Sequence, residues 1–418
     1  MKSKFTSIKK IVQNNTNVIE NYFFMTAIQI INTFFGILIY PYLIRVLGAS
    51  SYGLFVYSQS IISYFTVIVA FGFSFPALKI ISKNRDNQKV KNDVINIILT
   101  AKLILASFSI IAFIVLIYTI PIFFNNKLLF LINFTQIIQT IFYPQWYFQA
   151  IQKMKITTYI QLSFRILSLP FIFLLIHTPD DILIYALLVS TINILSTITS
   201  LVYLYKKENI RYRIVKISAL KKYILDALPF FWSTSTGVIK GESVAIIIGS
   251  LFGMKEVAYY NLAEKIISIP RMVTMNINDA LFPRMILNNN INNIKRIIKF
   301  ETWIGLAVIA TIILLGKYII ILLGGELMIS AYPMAIILSI TVLVWLVVGS
   351  YINFVFVPAH KYYLVTKNQF VAFISFFTFC ILGLLIYKNI LIVTIALSLS
   401  GIFEIFYCRY LIKKYELL

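Results

Sequence analysis

The stretch STSTGVIKGESVAIIIGSLFG, Ser233 to Gly253, is apolar or small at almost every position and long enough to cross a bilayer as a helix. Lys240 and Glu242 stand near its middle, where a charge costs about 3 kcal/mol or more. The rest of the chain has the same character. Of 418 residues 60% are hydrophobic and 12% charged, against about 25% charged in a soluble domain. Apolar runs longer than ~18 residues recur from end to end, the pattern of an all-α polytopic membrane protein.

Twelve spans can be drawn, at 22–47, 52–81, 94–120, 128–151, 158–177, 182–205, 224–253, 257–286, 300–323, 331–358, 369–387 and 389–412. Each is long enough to cross ~30 Å of hydrocarbon at about 1.5 Å per residue. The net charge of +22 would suggest nucleic acid in a soluble protein; here it is topological, because cytoplasmic loops collect Lys and Arg. With the N-terminus inside, 26 Lys and Arg fall in inner segments and five in outer turns, namely Arg45, Lys127, Lys255, Lys317 and Lys388. Both termini are therefore expected in the cytoplasm. No nucleic-acid partner is expected.

The longest polar connection, KKENIRYRIVKISALKK at 206–222, divides six spans from six. The expected organisation is a cytoplasmic amphipathic segment over 1–21, a six-helix lobe over 22–205 and a cytoplasmic linker over 206–223. A second six-helix lobe over 224–412 and a cytoplasmic tail over 413–418 follow. Two segments match between the halves: GASSYGLFVYSQSIIS (48–63) and GMKEVAYYNLAEKIIS (253–268) align without gaps. FPALKIISKN (75–84) roughly echoes FPRMILNNNI (282–291). Six spans per half give parallel, pseudo-symmetric lobes.

Six cations remain outside that loop count. Lys79 and Lys102 are within snorkelling reach of the inner interface, as Lys265 is of the outer one. Arg165, Arg271 and above all Lys240 lie deeper, and such residues usually face a bundle interior or an aqueous cavity. Lys240 and Glu242, two residues apart, point to different sides of a helix and need other partners. A Lys240–Glu264 or Glu242–Arg271 pair would be purely structural. Asp279, Glu301 and Glu404 are placed near the inner side or exposed. Gly237 and Gly241, like Gly249 and Gly253, have the spacing that lets helices approach closely. Pro41 and Pro270 lie far enough inside spans to kink them. Tyr40, Tyr42 and Tyr57 are compatible either with a substrate cleft or with packing. The two cysteines, Cys380 and Cys408, read as packing residues. A cavity with surplus cations suits an anionic substrate such as a pyrophosphate. No phosphate-binding glycine loop is present in the sequence, so no ATPase and no cofactor is expected.

The segment YPYLIRVLGASSYGLFVYSQSIISYFTVIVAFGFSFPALKIIS, Tyr40 to Ser82, resembles the polysaccharide-translocase branch of the multidrug/oligosaccharidyl-lipid/polysaccharide superfamily, in particular O-antigen flippases of the Wzx type. LPFFWSTSTGVIKGESVAIIIGSLFG followed by VAYYNLAEKI is similar to that family too. The resemblance implies twelve transmembrane helices in two pseudo-symmetric six-helix lobes around a central cavity. It also implies alternating access that carries undecaprenyl-pyrophosphate-linked oligosaccharide from the cytoplasmic to the periplasmic leaflet of a bacterial inner membrane. A polysaccharide polymerase and a chain-length regulator are the protein partners it suggests. On this chain the candidate substrate-binding cations are Lys240, Arg271, Arg45 and Lys265, with an interface anchor as the alternative role of Arg45. Glu242 and Glu264 are the candidate coupling or ion-pair acids. A drug or cation antiporter would favour buried carboxylates, which the first half lacks. A polymerase or ligase of the same pathway would need a large periplasmic loop, and the outer turns are short.

Overall fold

A computed structural model describes residues 16–287 and 291–417, with side chains described for 20–21, 23–274 and 292–417. Residues 1–15 of the basic N-terminal segment lie outside the described residues. So do the side chains of Asp279, Pro283 and Arg284, and with them the 282–291 repeat match.

Every regular element described is helical. In chain order they are α1 (Thr16–Ala70), α2 (Ser74–Lys83), α3 (Gln88–Thr119), α4 (Pro121–Asn125), α5 (Lys127–Phe134), α6 (Gln136–Phe142), α7 (Gln145–Ala150) and α8 (Met154–Leu175). Then come α9 (Ile182–Lys207), α10 (Leu220–Leu251), α11 (Met254–Leu287), α12 (Ile291–Gly324), α13 (Ala331–Tyr351), α14 (Tyr362–Ile386) and α15 (Ile390–Lys414). Among the described residues, eight helical stretches are long and apolar enough to cross a membrane, as expected of a multi-pass membrane protein. The charge-bearing helices α10 and α11 are not among the eight, although their 32 and 34 residues exceed the length required.

The boundaries differ from those drawn on the sequence at two places. Spans one and two meet where the sequence places their join: the helical run α1 passes through Pro41 and is broken by a kink at Gly48, whose backbone is non-helical (φ 72°, ψ 164°). A left-handed φ of this kind is open to glycine at no steric cost. The second span ends at Ala70, and α2 restarts after a turn in which Gly72 packs on the backbone of Phe231. The fourth span is three short helices, and Pro144, with no N–H to continue α6, marks the break between α6 and α7.

Lys102 answers that last break. It does not snorkel: it is 4% exposed, and its Nζ donates to the Thr140 carbonyl at 2.7 Å. That carbonyl belongs to the final turn of α6, where acceptors have no helical partner and a cation meets the negative end of the helix dipole.

By packing, the chain divides into two units. The first contains residues 16–36, 62–177 and 181–231. Its core gathers Phe73, which precedes α2, Ala77 and Ile81 of α2, Val94 to Ala101 of α3, Trp146 to Ala150 of α7, and Leu204. Below this core a buried polar knot forms around Glu208. Its carboxylate accepts from Lys153 Nζ at 2.6 Å and from the Tyr147 hydroxyl at 3.4 Å. The hydrogen bond that Lys153 donates to Glu208 holds its ammonium above its usual range, so the pair's contribution is present at neutral pH and fades only as alkaline pH passes that raised value. Glu208→Ala leaves the fully buried Tyr147 hydroxyl without its acceptor, at a cost of about 1–3 kcal/mol. The expected result is a lower unfolding temperature, with an equal drop at pH 7 and pH 9 and partial recovery when Tyr147→Phe is added.

The second unit contains residues 37–61 and 178–180 and the described residues from 232 to 417. Residues 37–61, from the N-terminal half of the sequence, thus pack with the C-terminal half. Elsewhere in this unit α13 is central, in contact with α11, α12 and α15, and α14 packs on α15. Val344, Val347, Val348 and Tyr351 of α13 meet Ile405, Cys408, Leu411 and Ile412 of α15 in one cluster. Cys380 and Cys408 are buried free thiols that serve packing.

Candidate functional site

Residues 37–61 are joined to the second unit through the two repeated segments. Their opening glycines, Gly48 and Gly253, both adopt positive φ. Five residues on, each repeat places a small residue at the contact, Gly53 and Ala258. A Cβ on Gly53 would stand 1.7 Å from the Met254 carbonyl oxygen and 3.3 Å from the Ala258 nitrogen. The Tyr52 hydroxyl donates to Asn261 Oδ1 at 3.2 Å, and the Tyr57 hydroxyl and Ser250 Oγ are 3.0 Å apart. The Tyr57 ring lies over Gly249. The close contact expected of Gly249 is therefore present, whereas Gly237 and Gly241 have no neighbour within 4 Å of a Cβ among the described residues.

The intramembrane charges of this unit form two groups. In the first, Lys240 Nζ of α10 stands 3.9 Å from Glu404 Oε2 of α15, and the other Glu404 oxygen accepts from Asn368 Nδ2 of α14 at 2.7 Å. Three helices thus converge on one carboxylate that is 12% exposed. At 3.9 Å the ammonium is at the outer limit of an ion pair, so its donors are not committed to Glu404.

In the second group, Arg271 of α11 is held by its own fork. NH1 donates to Glu264 Oε1 at 2.8 Å, NH2 donates to Thr341 Oγ1 at 3.1 Å, and the guanidinium lies 5.5 Å from the Trp345 ring centre. Nε is buried without an acceptor among the described residues. A planar guanidinium fixed in this way presents its remaining donors in one direction.

The pairings differ from both structural pairs that the sequence suggests. Lys240 reaches Glu404 rather than Glu264, and Arg271 takes Glu264, seven residues back on its own helix, rather than Glu242. Glu242 is half-buried on α10. Arg45 donates to the Leu322 carbonyl at 3.2 Å, capping the last turn of α12. Lys265 lies 5.6 Å above the ring of Tyr40, which is itself buried and stacks edge-on with Tyr52. Tyr40 and Tyr57 therefore pack, and Tyr42 remains half-buried.

The sequence marks Glu301 and Glu404 as membrane acids near the inner side or exposed, and the structure corrects the exposure: Glu404 is 12% exposed, and Glu301 is fully buried, hydrogen-bonded by Ser350, with its second oxygen unpartnered among the described residues. The missed signal was the isolation of Glu404 in GIFEIFYC: a lone carboxylate in an apolar span needs a partner as much as Lys240 does.

A family model described as "Polysaccharide biosynthesis protein" matches residues 18–288. The chain belongs to this family. A protein of Escherichia coli (strain K12) named "Putative O-antigen transporter" is 24% identical over 313 residues, 74% of this chain and 75% of that one. A protein of the same name from Shigella dysenteriae is 23% identical over 258 residues, 61% of this chain and 64% of that one. Among solved structures, an inward-facing multidrug resistance MATE transporter of the MOP superfamily aligns with TM-score 0.66 at 14% identity, over 91% of this chain and 98% of that one. The lipid II flippase MurJ in an inward closed conformation aligns with TM-score 0.62 at 14% identity, over 95% of this chain and 87% of that one. At such identities these likenesses concern the fold, and the all-α architecture of this family member is that of MOP-superfamily transporters.

Proposed function

We propose that this polysaccharide-family protein is a flippase. It moves undecaprenyl-pyrophosphate-linked O-antigen or related repeat units from the cytoplasmic to the periplasmic leaflet of a bacterial inner membrane by alternating access, with both termini in the cytoplasm. The observation that carries the reading is the pair of intramembrane cations in one unit, Lys240 and Arg271, whose side chains are 21% and 19% exposed. Both stay partly accessible, and both retain donor capacity beyond their carboxylate partners. That is the chemistry a pyrophosphate requires while it leaves water for a low-dielectric path. The names of the two curated relatives and of the lipid II flippase agree with it, and the distribution of Lys and Arg supports the orientation. Arg45 and Lys265 are assigned supporting roles, as a helix cap and a ring-stacked cation. Glu264 orients Arg271, and the two six-helix lobes are the bodies that alternate.

Deleting the gene is expected to abolish long-chain surface polysaccharide while single lipid-linked repeats accumulate inside the cell; the wild-type gene restores the polymer. Arg271→Lys is expected to restore about a tenth or less of it at equal protein level, because an ammonium cannot bridge Glu264, Thr341 and a phosphate at once. Full restoration by Arg271→Lys would remove the guanidinium from the transport path.

A further inference from the structure

Between α9 and α10 the chain runs without regular structure from Asn209 to Lys216, yet it is fastened along one face of α3. Gln88 Nε2 donates to the carbonyls of Glu208 and Asn209 at 2.6 and 3.1 Å. The Arg211 N–H donates to Asn92 Oδ1 at 2.8 Å. Asn96 both donates to the Arg211 carbonyl and accepts from the Arg213 N–H, each at 2.9 Å. The Val215 N–H donates to Thr100 Oγ1 at 3.1 Å. The helical partners recur every four residues, a rise of about 6.0 Å, and the strap residues every two, about 6.6 Å of extended chain. The two repeats nearly match, so one helix face can pair a strand-like segment as a neighbouring strand would.

That face has a definite environment. Continued along α3 from Thr100, it reaches Ile111, Ile114 and Tyr118, which are 62%, 46% and 70% exposed and belong to a membrane span, so they meet lipid. At 32 residues α3 is about 48 Å long and outreaches the ~30 Å hydrocarbon layer. The strap therefore lies on the lipid-facing side at headgroup level. It presents Ile214 and Ile217, 78% and 74% exposed, among Arg211, Lys216, Lys221 and Lys222. Apolar side chains interleaved with cations at this level match an anionic bilayer surface.

We infer that the strap over residues 210–217 is an interfacial anchor that binds anionic phospholipid headgroups, with Ile214 and Ile217 seated at the acyl boundary. The cytoplasmic setting rests on the orientation proposed above, but lipid-symmetric nanodiscs make the test independent of it and of transport. The full chain carrying Ile214→Cys is labelled there with an environment-sensitive fluorophore, the native Cys380 and Cys408 being buried. The discs hold phosphatidylcholine alone or with one-third phosphatidylglycerol. The anchor predicts quenching by brominated acyl chains, stronger by about twofold or more with phosphatidylglycerol and reversed toward the neutral-lipid value by high salt. It also predicts that Arg211→Gln with Lys216→Gln, Lys221→Gln and Lys222→Gln removes the lipid-charge dependence, while slow hydrogen exchange at the 211, 213 and 215 amides shows the strap still docked. Quenching by aqueous iodide that is equal in both lipids and indifferent to salt would overturn the inference and leave the surface to a soluble partner or to water.

Discussion

Lys240→Ala lowers translocation of lipid-linked repeat units by roughly tenfold to a hundredfold at equal protein level. The magnitude follows from losing one charge-assisted hydrogen bond to phosphate, about 1.5–3 kcal/mol, in a step that feels it in full. Glu404→Gln has a smaller effect, since Asn368 still binds the neutral amide's oxygen and Lys240 keeps its donors. The double variant Lys240→Met with Glu404→Gln separates two roles. If the 3.9 Å contact served only to pair two buried charges, removing both would restore stability and transport together, as replacing a buried pair by neutral groups often does. On the present account the double variant is as stable as wild type and does not transport. Thermal stability of the purified protein and the lipid-linked intermediate in cells are the two readouts.

Gly53→Ala has the largest expected effect on the folded state. Its new Cβ would stand 1.7 Å from a backbone carbonyl oxygen, which cannot swing aside as a side chain does, so the repeats must separate. Overpacking of this kind costs about 1–3 kcal/mol, and a backbone collision falls at the upper end. The variant is expected to lose a large part of its thermal stability and its transport. Gly237→Ala is the control: it meets nothing within 4 Å, and in a helix interior alanine is preferred by roughly 0.5–1 kcal/mol. A neutral Gly53→Ala would mean that the contact between the repeats is looser than described.

Membrane class was legible in the sequence because uninterrupted apolar runs have no soluble use. The 48–63 and 253–268 repeat was legible as well, though only the structure gives its reason: a left-handed glycine opens each copy, and a small residue lies where the copies touch. The break in the fourth span was signalled by Pro144, but its counterpart, Lys102, looked like a snorkelling residue. Its partner is a carbonyl of another helix, which no spacing along the chain can reveal. The same limit explains the charge pairs. Lys240 finds Glu404, 164 positions away in the numbering, and the assumption that neighbouring spans pair would never select it. The asparagine ladder was hidden for a different reason. Asn92 and Asn96 hold the 209–216 segment through side-chain-to-backbone bonds across more than a hundred positions, which the polarity of the 206–222 connection alone does not reveal.

The most direct test is translocation by the purified protein in sealed vesicles carrying undecaprenyl-pyrophosphate-linked oligosaccharide, with leaflet position read by the access of a membrane-impermeant sugar-modifying reagent. The account predicts that substrate on the inaccessible leaflet becomes accessible with wild-type protein and only slowly with Lys240→Ala. Vesicles with wild-type protein that exchange no faster than protein-free vesicles would contradict the flippase reading, and equal rates for wild type and Lys240→Ala would contradict the role of the buried cation.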